Sequence, residues 1–322
     1  MTTILTPSEV RKRFGINFCG GFITIVDRER GLVRIVEKCI ARGPVEWDHA
    51  NRIRAGGALK SSRIDGTTLI MDAEIGKSGE VRFGPAAGDV GGQALVKVEL
   101  DGGEVRTTWR GIAGASMGIG ACIPASDDVI HTEYNNLKLG GANKIEVTIV
   151  TPAMSRLIIG IDDTDTAEKG ASWVMALKMA QEMPFGNYLT HKIIQLFPGV
   201  PEKTKNCVSI GVSFAVPEGK LQEAKDWLMD FVREETLSKE TSVVFHSGLE
   251  VPVSLKRYGR EAKKRIISLE EAEEFARRIG LEYHNITGRR GIIGAIAAVG
   301  CFEDPYAAML YTDLEKDKSY KE

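Results

Sequence analysis

The chain has 322 residues, with 42 lysines and arginines against 44 aspartates and glutamates, and 43% of it is hydrophobic. That length supports two domains with separate cores, and the near balance of charge excludes a strongly basic chain that coats nucleic acid on charge alone. The sequence lacks a secretory leader and an apolar run of about eighteen residues, and its five cysteines (Cys19, Cys39, Cys122, Cys207, Cys301) are dispersed without a Cys-x-x-Cys pair; a soluble cytoplasmic protein is therefore expected, with no membrane partner, no disulfide framework and no zinc ribbon.

The first 154 residues hold 22 of the 35 glycines, the pattern of short strands and tight turns. Phe22-Ile23-Thr24-Ile25-Val26 and Leu32-Val33-Arg34-Ile35-Val36 flank a turn-rich segment and predict a hairpin. Val96 to Leu100 and Val105 to Trp109, around Asp101-Gly102-Gly103, predict a second. Ile145 to Val150 predicts the strand that closes a strand-rich domain over residues 1–154. The cluster Gly114-Ala115-Ser116-Met117-Gly118-Ile119-Gly120 fits neither a dinucleotide fingerprint nor a P-loop, and reads as a turn or close-packing element. Trp47-Asp48-His49, Cys122 and His131 are candidates to converge, although polar residues of this kind are usually satisfied locally. The role of this half is not legible from its residues.

From Thr151-Pro152 onward strands and helices alternate, which predicts a second, α/β domain over residues 155–322, joined near Thr151 to Ser155. Leu157-Ile158-Ile159-Gly160-Ile161 reads as a buried strand, and Asp162-Asp163-Thr164-Asp165-Thr166 arrives at its carboxyl end, where α/β sheets keep their chemistry. Carboxylates packed so closely repel one another unless a hard cation such as magnesium, often carrying phosphates, compensates. Asp162, Asp163 and Asp165 are thus candidate metal ligands. A solvated or helix-capping loop is the plain alternative. An EF-hand is excluded, since counting from Asp163 the sixth position is Glu168 and the twelfth is Val174. Asp163-x-Asp165 also looks like the aspartyl-phosphate motif of haloacid dehalogenases, with Ala167 departing from that pattern.

Gly170 to Met183 predicts a helix with Trp173, Val174, Leu177 and Ala180 on its apolar stripe, its amino end aimed at an anion held by the carboxylates. Leu189 to Leu196 and Val208 to Val216 predict strands, and Leu221, Ala224, Leu228 and Phe231 mark an amphipathic helix. Between the strands, Pro198 to Asn206 offers Lys203, Thr204 and Asn206 as a cation and polar donors. Ser268-Leu269-Glu270-Glu271 is a capping box whose helix stops at Gly280. Thr287-Gly288-Arg289-Arg290-Gly291 is a basic glycine turn feeding the apolar run Ile292 to Gly300, an arrangement suited to one anion.

Three of these stretches, in this order, resemble a known family. Gly160 to Asp165, Phe197 to Asn206 and Gly288 to Gly300 are similar to the kinase-like and ferredoxin-like portion of archaeal agmatidine synthase, which modifies the anticodon cytidine of an isoleucine tRNA. The resemblance spans roughly residues 156–302. It implies that the acidic motif holds magnesium and ATP, whose phosphate activates a base carbonyl for attack by agmatine. It further implies ATP-binding roles for Gly160, Thr164, Thr166, Thr204, Asn206, Gly288, Arg289, Arg290 and Gly291, with Ser172 the hydroxyl nearest to the family's threonine. A separate amino-terminal domain on such a core is similar to methanogenesis marker protein 11 of methanogenic archaea.

The expected fold is α/β (α+β): a strand-rich amino-terminal domain and a kinase-like, ferredoxin-like α/β domain. The expected function is ATP- and Mg2+-dependent phosphoryl transfer, or ATP-driven activation of an unknown acceptor, by a kinase-like or ligase-like enzyme. Asp162, Asp163, Asp165 and Lys203 would carry the catalysis, with Arg289 and Arg290 neutralising phosphate charge. A nucleotide-binding assembly or regulatory protein of the methanogenesis machinery is the alternative. The expected acceptor is a small molecule or a protein, and homo-oligomerisation is left open. tRNA is expected to be an unlikely partner, because no oligonucleotide-binding fold or zinc ribbon follows.

Overall fold

The computed structural model describes residues 2–15, 18–82, 92–114 and 117–313, so Ala115 and Ser116 of the glycine cluster lie outside it. The chain divides into two compact units, Met1–Met154 and Ser155–Glu322. The fold is mixed α/β, with many strands and several helices.

The first unit contains β1 (Thr3–Leu5), α1 (Pro7–Phe14), β2 (Cys19–Asp27), β3 (Leu32–Cys39), α2 (Arg42–Ala55), β4 (Leu59–Asp65), β5 (Thr68–Glu74), β6 (Gly92–Asp101), β7 (Glu104–Ala113), β8 (His131–Tyr134) and the start of β9 (Asn143–Asp162). Both expected hairpins form: β2 and β3 pair from Cys19↔Cys39 to Asp27↔Leu32, and β6 and β7 from Gly92↔Ile112 to Asp101↔Glu104. In the second, Gly102-Gly103 makes the two-residue turn, with Gly102 at φ 58, a conformation that glycine adopts without a Cβ clash. Trp109, Phe22, Leu69, Met71 and Tyr134 are fully buried in one core. The glycine-rich composition conceals two helices here. Helix α1 has a local signature, Thr6 capping it and Pro7 in its first turn, with Glu9 returning the capping-box bond.

The segment Thr151 to Ser155, expected to join the two domains, spans the boundary between the units and is continuous strand. Strand β9 pairs with β7 as far as Pro152↔Glu104 and with β2 at Ala153 and Met154. Thr151, Ala153 and Met154 are buried, so this stretch offers no protease-accessible linker.

The second unit comprises the end of β9, then α3 (Ser172–Glu182), β10 (Asn187–Gln195), β11 (Val208–Pro217), α4 (Leu221–Glu235), β12 (Ser242–Ser247), α5 (Val253–Ala262), α6 (Leu269–Arg278), β13 (Glu282–Asn285) and α7 (Ile292–Gly300). The strand order is β10-β11-β9-β12-β13, with helices on both faces of the sheet. Leu157, Ile159 and Ile161 of β9 share a core with Met175, Met179, Leu228 and Phe231 of α3 and α4. Ile158 shares the opposite core with α5, α6 and α7, the last buried at every residue but Ile293. This alternation is the period-2 geometry of a strand buried on both faces. On α3 the expected stripe is corrected: Ser172, Met175, Ala176 and Met179 are buried, while Trp173, Val174 and Leu177 are exposed. Both sets have helical spacing, and the sheet selects one of them.

Candidate functional site

Near the end of β9, Ile158, Gly160 and Asp162 face α7. Gly160 lies so close to that helix that a Cβ would stand 2.1 Å from the Ala295 carbonyl oxygen. One strand period further on, a Cβ on Gly294 of α7 would stand 1.9 Å from Asp162 Oδ2. The two glycines thus let strand and helix meet with the Asp162 carboxylate laid against the first turn of α7.

Asp163 then turns the chain at φ 55, a left-handed conformation uncommon outside glycine. A hydroxyl network holds this bend. Thr241 Oγ1 donates to the Asp163 carbonyl at 2.5 Å, and the Leu237 N–H donates to the Thr164 carbonyl at 2.9 Å. Thr287 Oγ1 accepts from the Thr241 N–H at 3.0 Å and donates to the Ser238 carbonyl at 2.9 Å, while Ser242 Oγ donates to the Gly288 carbonyl at 2.9 Å. The acidic bend and the basic turn are therefore fastened to the same segment, 236–242. Thr241→Val should cost about 1–3 kcal/mol of stability by stranding the Asp163 carbonyl. An unchanged denaturant midpoint would show that the network does not hold the bend.

Fastened in this way, Arg290 meets Asp163 in a two-pronged ion pair, Nε to Oδ2 at 2.9 Å and Nη2 to Oδ1 at 3.1 Å. The Arg290 backbone N–H reaches Glu240 Oε2 at 3.2 Å. A cavity of about 430 Å3 opens here, bringing together Asp162, Asp163, Asp165, Lys203, Thr204 and Arg290 from the sequence-derived set. Thr204 lies beside Asp165 and tempers the rise in its pKa. Sequence reasoning missed the apolar wall of Leu196, Val200, Ile266, Ile267, Leu269 and Ile293, and missed Glu202, Cys207, Glu240 and Gly294. Cys207 sits at φ 54, so two left-handed non-glycine residues border this cavity, a concentration of backbone strain typical of working sites.

The remaining predicted residues do not line the cavity. Gly160, Gly288 and Gly291 are close-packing positions, each with backbone atoms within 3 Å of where a Cβ would stand. Thr164 Oγ1 donates to Ser172 Oγ at 2.7 Å inside the core. Thr166 Oγ1 accepts the Lys169 N–H in a local turn, and the Asn206 carbonyl accepts from the Gln195 side chain. Arg289 pairs with Glu273 at 2.6 and 2.8 Å, its side chain 61% exposed. Lys203 reaches the cavity while its Nζ donates to the Pro198 carbonyl.

Among the described residues no group of three His, Cys, Asp or Glu side chains is arranged to hold a metal ion. Arg290 occupies both oxygens of Asp163. Asp162 and Asp165 remain, and both carboxyls are pushed above their ordinary range, first by burial and then by neighbouring carboxylate charge. Asp163 in turn raises Arg290 further, through the hydrogen bonds of their pair. Two hard oxygen donors in an uncompensated negative field fit a magnesium ion that takes its other ligands from phosphate and water. The donors do not fit a cage of three carboxylates.

Residues 158–224 match the TiaS TCKD domain. The chain is 36% identical over 287 residues to the uncharacterized protein MJ0921 of Methanocaldococcus jannaschii, spanning 87% of this chain and 93% of that one, and it belongs to the same family. It is also 31% identical over 150 residues to TiaS of Pyrococcus horikoshii, a 2-agmatinylcytidine synthetase named for an isoleucine tRNA, in a match covering 45% of this chain and 35% of that enzyme. The chain thus spans about a third of the length of TiaS. A crystal structure of TiaS in complex with that tRNA and ATP aligns over 45% of this chain and 36% of that one, at 25% identity and a TM-score of 0.42.

These likenesses correct the expectation that tRNA is an unlikely partner: the matched part of the relative belongs to an enzyme whose name states a tRNA substrate. The expectation rested on the missing oligonucleotide-binding fold and zinc ribbon, and it passed over local charge. Lys256, Arg257, Arg260, Lys263, Lys264 and Arg265 fall within ten residues of the second unit, a local concentration that a net charge near zero conceals.

Proposed function

We propose that the second unit binds ATP in the cavity at the end of β9 and uses it to activate an oxygen of an acceptor. The observation that carries this reading is one cavity that combines Arg290, Lys203 and Thr204 with Asp162, Asp163 and Asp165 at a strand end beside the start of a buried helix. The apolar wall suits a base, and the charged end suits phosphates.

Arg290, already oriented by Asp163, would neutralise charge on the phosphate oxygens, with Lys203 and Thr204 donating from the opposite loop. Asp162 and Asp165 would hold magnesium, which supplies charge neutralisation to the phosphates when bound. Catalysis of this kind needs positioning and charge more than covalent chemistry, and the 236–242 brace supplies the positioning. Membership of the methanogenesis marker protein 11 family, and with it a role in methanogenic archaea, is part of the same reading. The acceptor is open among small molecules, proteins and RNA, the last supported by the name of the TiaS relatives.

Calorimetric titration with a non-hydrolysable ATP analogue, with and without magnesium, should show magnesium-dependent binding. Product analysis with ATP should then yield ADP, or AMP and pyrophosphate, once an acceptor is supplied. No binding at millimolar nucleotide would overturn the proposal, and binding without turnover across acceptor classes would favour a regulatory protein.

A further inference from the structure

The first unit has a cavity of about 640 Å3 whose lining includes Phe14, Phe18, Trp47, Asp48, Gln93 and Cys122. Its volume is that of a small-molecule site. Among its described lining residues Asp48 is the single charged side chain, so the cavity presents one carboxylate among aromatic rings. His49 and His131, grouped with these residues in the sequence, face Ser62 and Glu133 instead.

Beneath Asp48 the charges do not balance. Arg52 is fully buried; its Nη1 meets Glu37 Oε2 at 2.5 Å and its guanidinium lies 4.8 Å from the Trp109 ring centroid. Nη2 stands 3.5 Å from Asp48 Oδ2, and neither Nε nor Nη2 has a hydrogen-bond partner. Asp48 Oδ1 accepts from Gln93. Two carboxylates therefore share one guanidinium, and the weaker claim on it belongs to the carboxylate that faces the cavity. Burial raises the pKa of Asp48 to about 6, against the pull of Arg52, and the Glu37 carboxylate adds to the rise, so Asp48 is largely ionised at neutral pH; burial keeps the nearby Cys19 and Cys122 thiols protonated there. The cluster then carries one surplus negative charge at the cavity floor, in surroundings where an uncompensated charge is costly. A cation entering the cavity removes that cost, and aromatic faces add attraction for an ammonium or guanidinium.

We propose that this cavity is a binding site for an organic cation, an ammonium or guanidinium on an apolar body, with Asp48 taking the charge and Trp47 and Phe18 flanking the body. The site is independent of the ATP reading.

Three probes of one shape separate charge from hydrophobicity: 3-phenylpropylammonium, 3-phenylpropan-1-ol and 3-phenylpropionate. Each is titrated into the full-length protein near neutral pH by calorimetry, with the Trp47 indole N–H resonance, assigned from Trp47→Phe, reporting the location. The ammonium is expected to bind about tenfold or more tighter than the alcohol, with the carboxylate weakest, and to shift that resonance. Asp48→Asn should bring the ammonium to the level of the alcohol without changing alcohol binding. Equal affinities in the native protein overturn the proposal, as do preference for the carboxylate, no binding at about 10 mM, or an ammonium preference retained by folded Asp48→Asn.

Discussion

Gly160→Ala is expected to destabilise the second unit by about 3 kcal/mol or more. The added methyl would stand 2.1 Å from the Ala295 carbonyl oxygen and 2.9 Å from Val299 Cγ2. The nearer atom is backbone at the buried Ala295, so no side-chain rotation relieves the contact. Either β9 shifts within its sheet, breaking register with β12, or α7 lifts and opens the core around Ile158 and Val244. Gly219→Ala is the control, since that glycine is exposed and has nothing within 4 Å of the added carbon; it should change stability by under about 0.5 kcal/mol. Urea titration of both variants is the measurement. Equal midpoints would mean that α7 does not rest on β9 as described, and the placement of Asp162 against that helix would go with it.

Arg290→Gln is expected to weaken ATP affinity by about tenfold to a hundredfold, the loss of a charge-assisted pair of hydrogen bonds to phosphate. Arg289→Gln should change it by less than about twofold, because that side chain is exposed and pairs with Glu273 outside the cavity. Calorimetry on the two variants reads the difference directly, and equal losses would refute the assignment of phosphate contact to Arg290 alone. Asp163→Asn has a related reading. Relief of carboxylate repulsion alone would stabilise the ligand-free protein. Because Asp163 is already neutralised by Arg290, removing its charge should leave ligand-free stability unchanged or lower.

How far the site is legible in sequence differs from residue to residue. Asp162, Asp163 and Asp165 are visible because an apolar run ends in them, and Lys203 and Thr204 because a proline-stiffened loop presents them. All five border the cavity. Arg289 and Arg290 are indistinguishable by local pattern, and it is the bend at Asp163, held by Thr241, that gives one of them an ion pair at the cavity. Glu240 precedes β12, which carries no chemical motif, and no sequence signal marks Cys207. In the first unit, Asp48 lies on a plain helix, and its meaning depends on Glu37, Gln93 and Arg52, brought to it by β3, β6 and the buried face of α2.

The sequence by itself determined the hairpins, the buried strand, the helix capped by Ser268 and stopped at Gly280, and the position of an acidic cluster at a strand end. These follow from side-chain period and backbone preference, which act over a few residues. Tertiary structure alone decided which stripe of α3 is buried, which arginine meets Asp163, which glycines are contact points, and which carboxylate is left short of a cation. Each of those depends on atoms a few ångströms apart in space and tens of residues apart in the chain, at distances where excluded volume and charge pairing act and local preference has no influence.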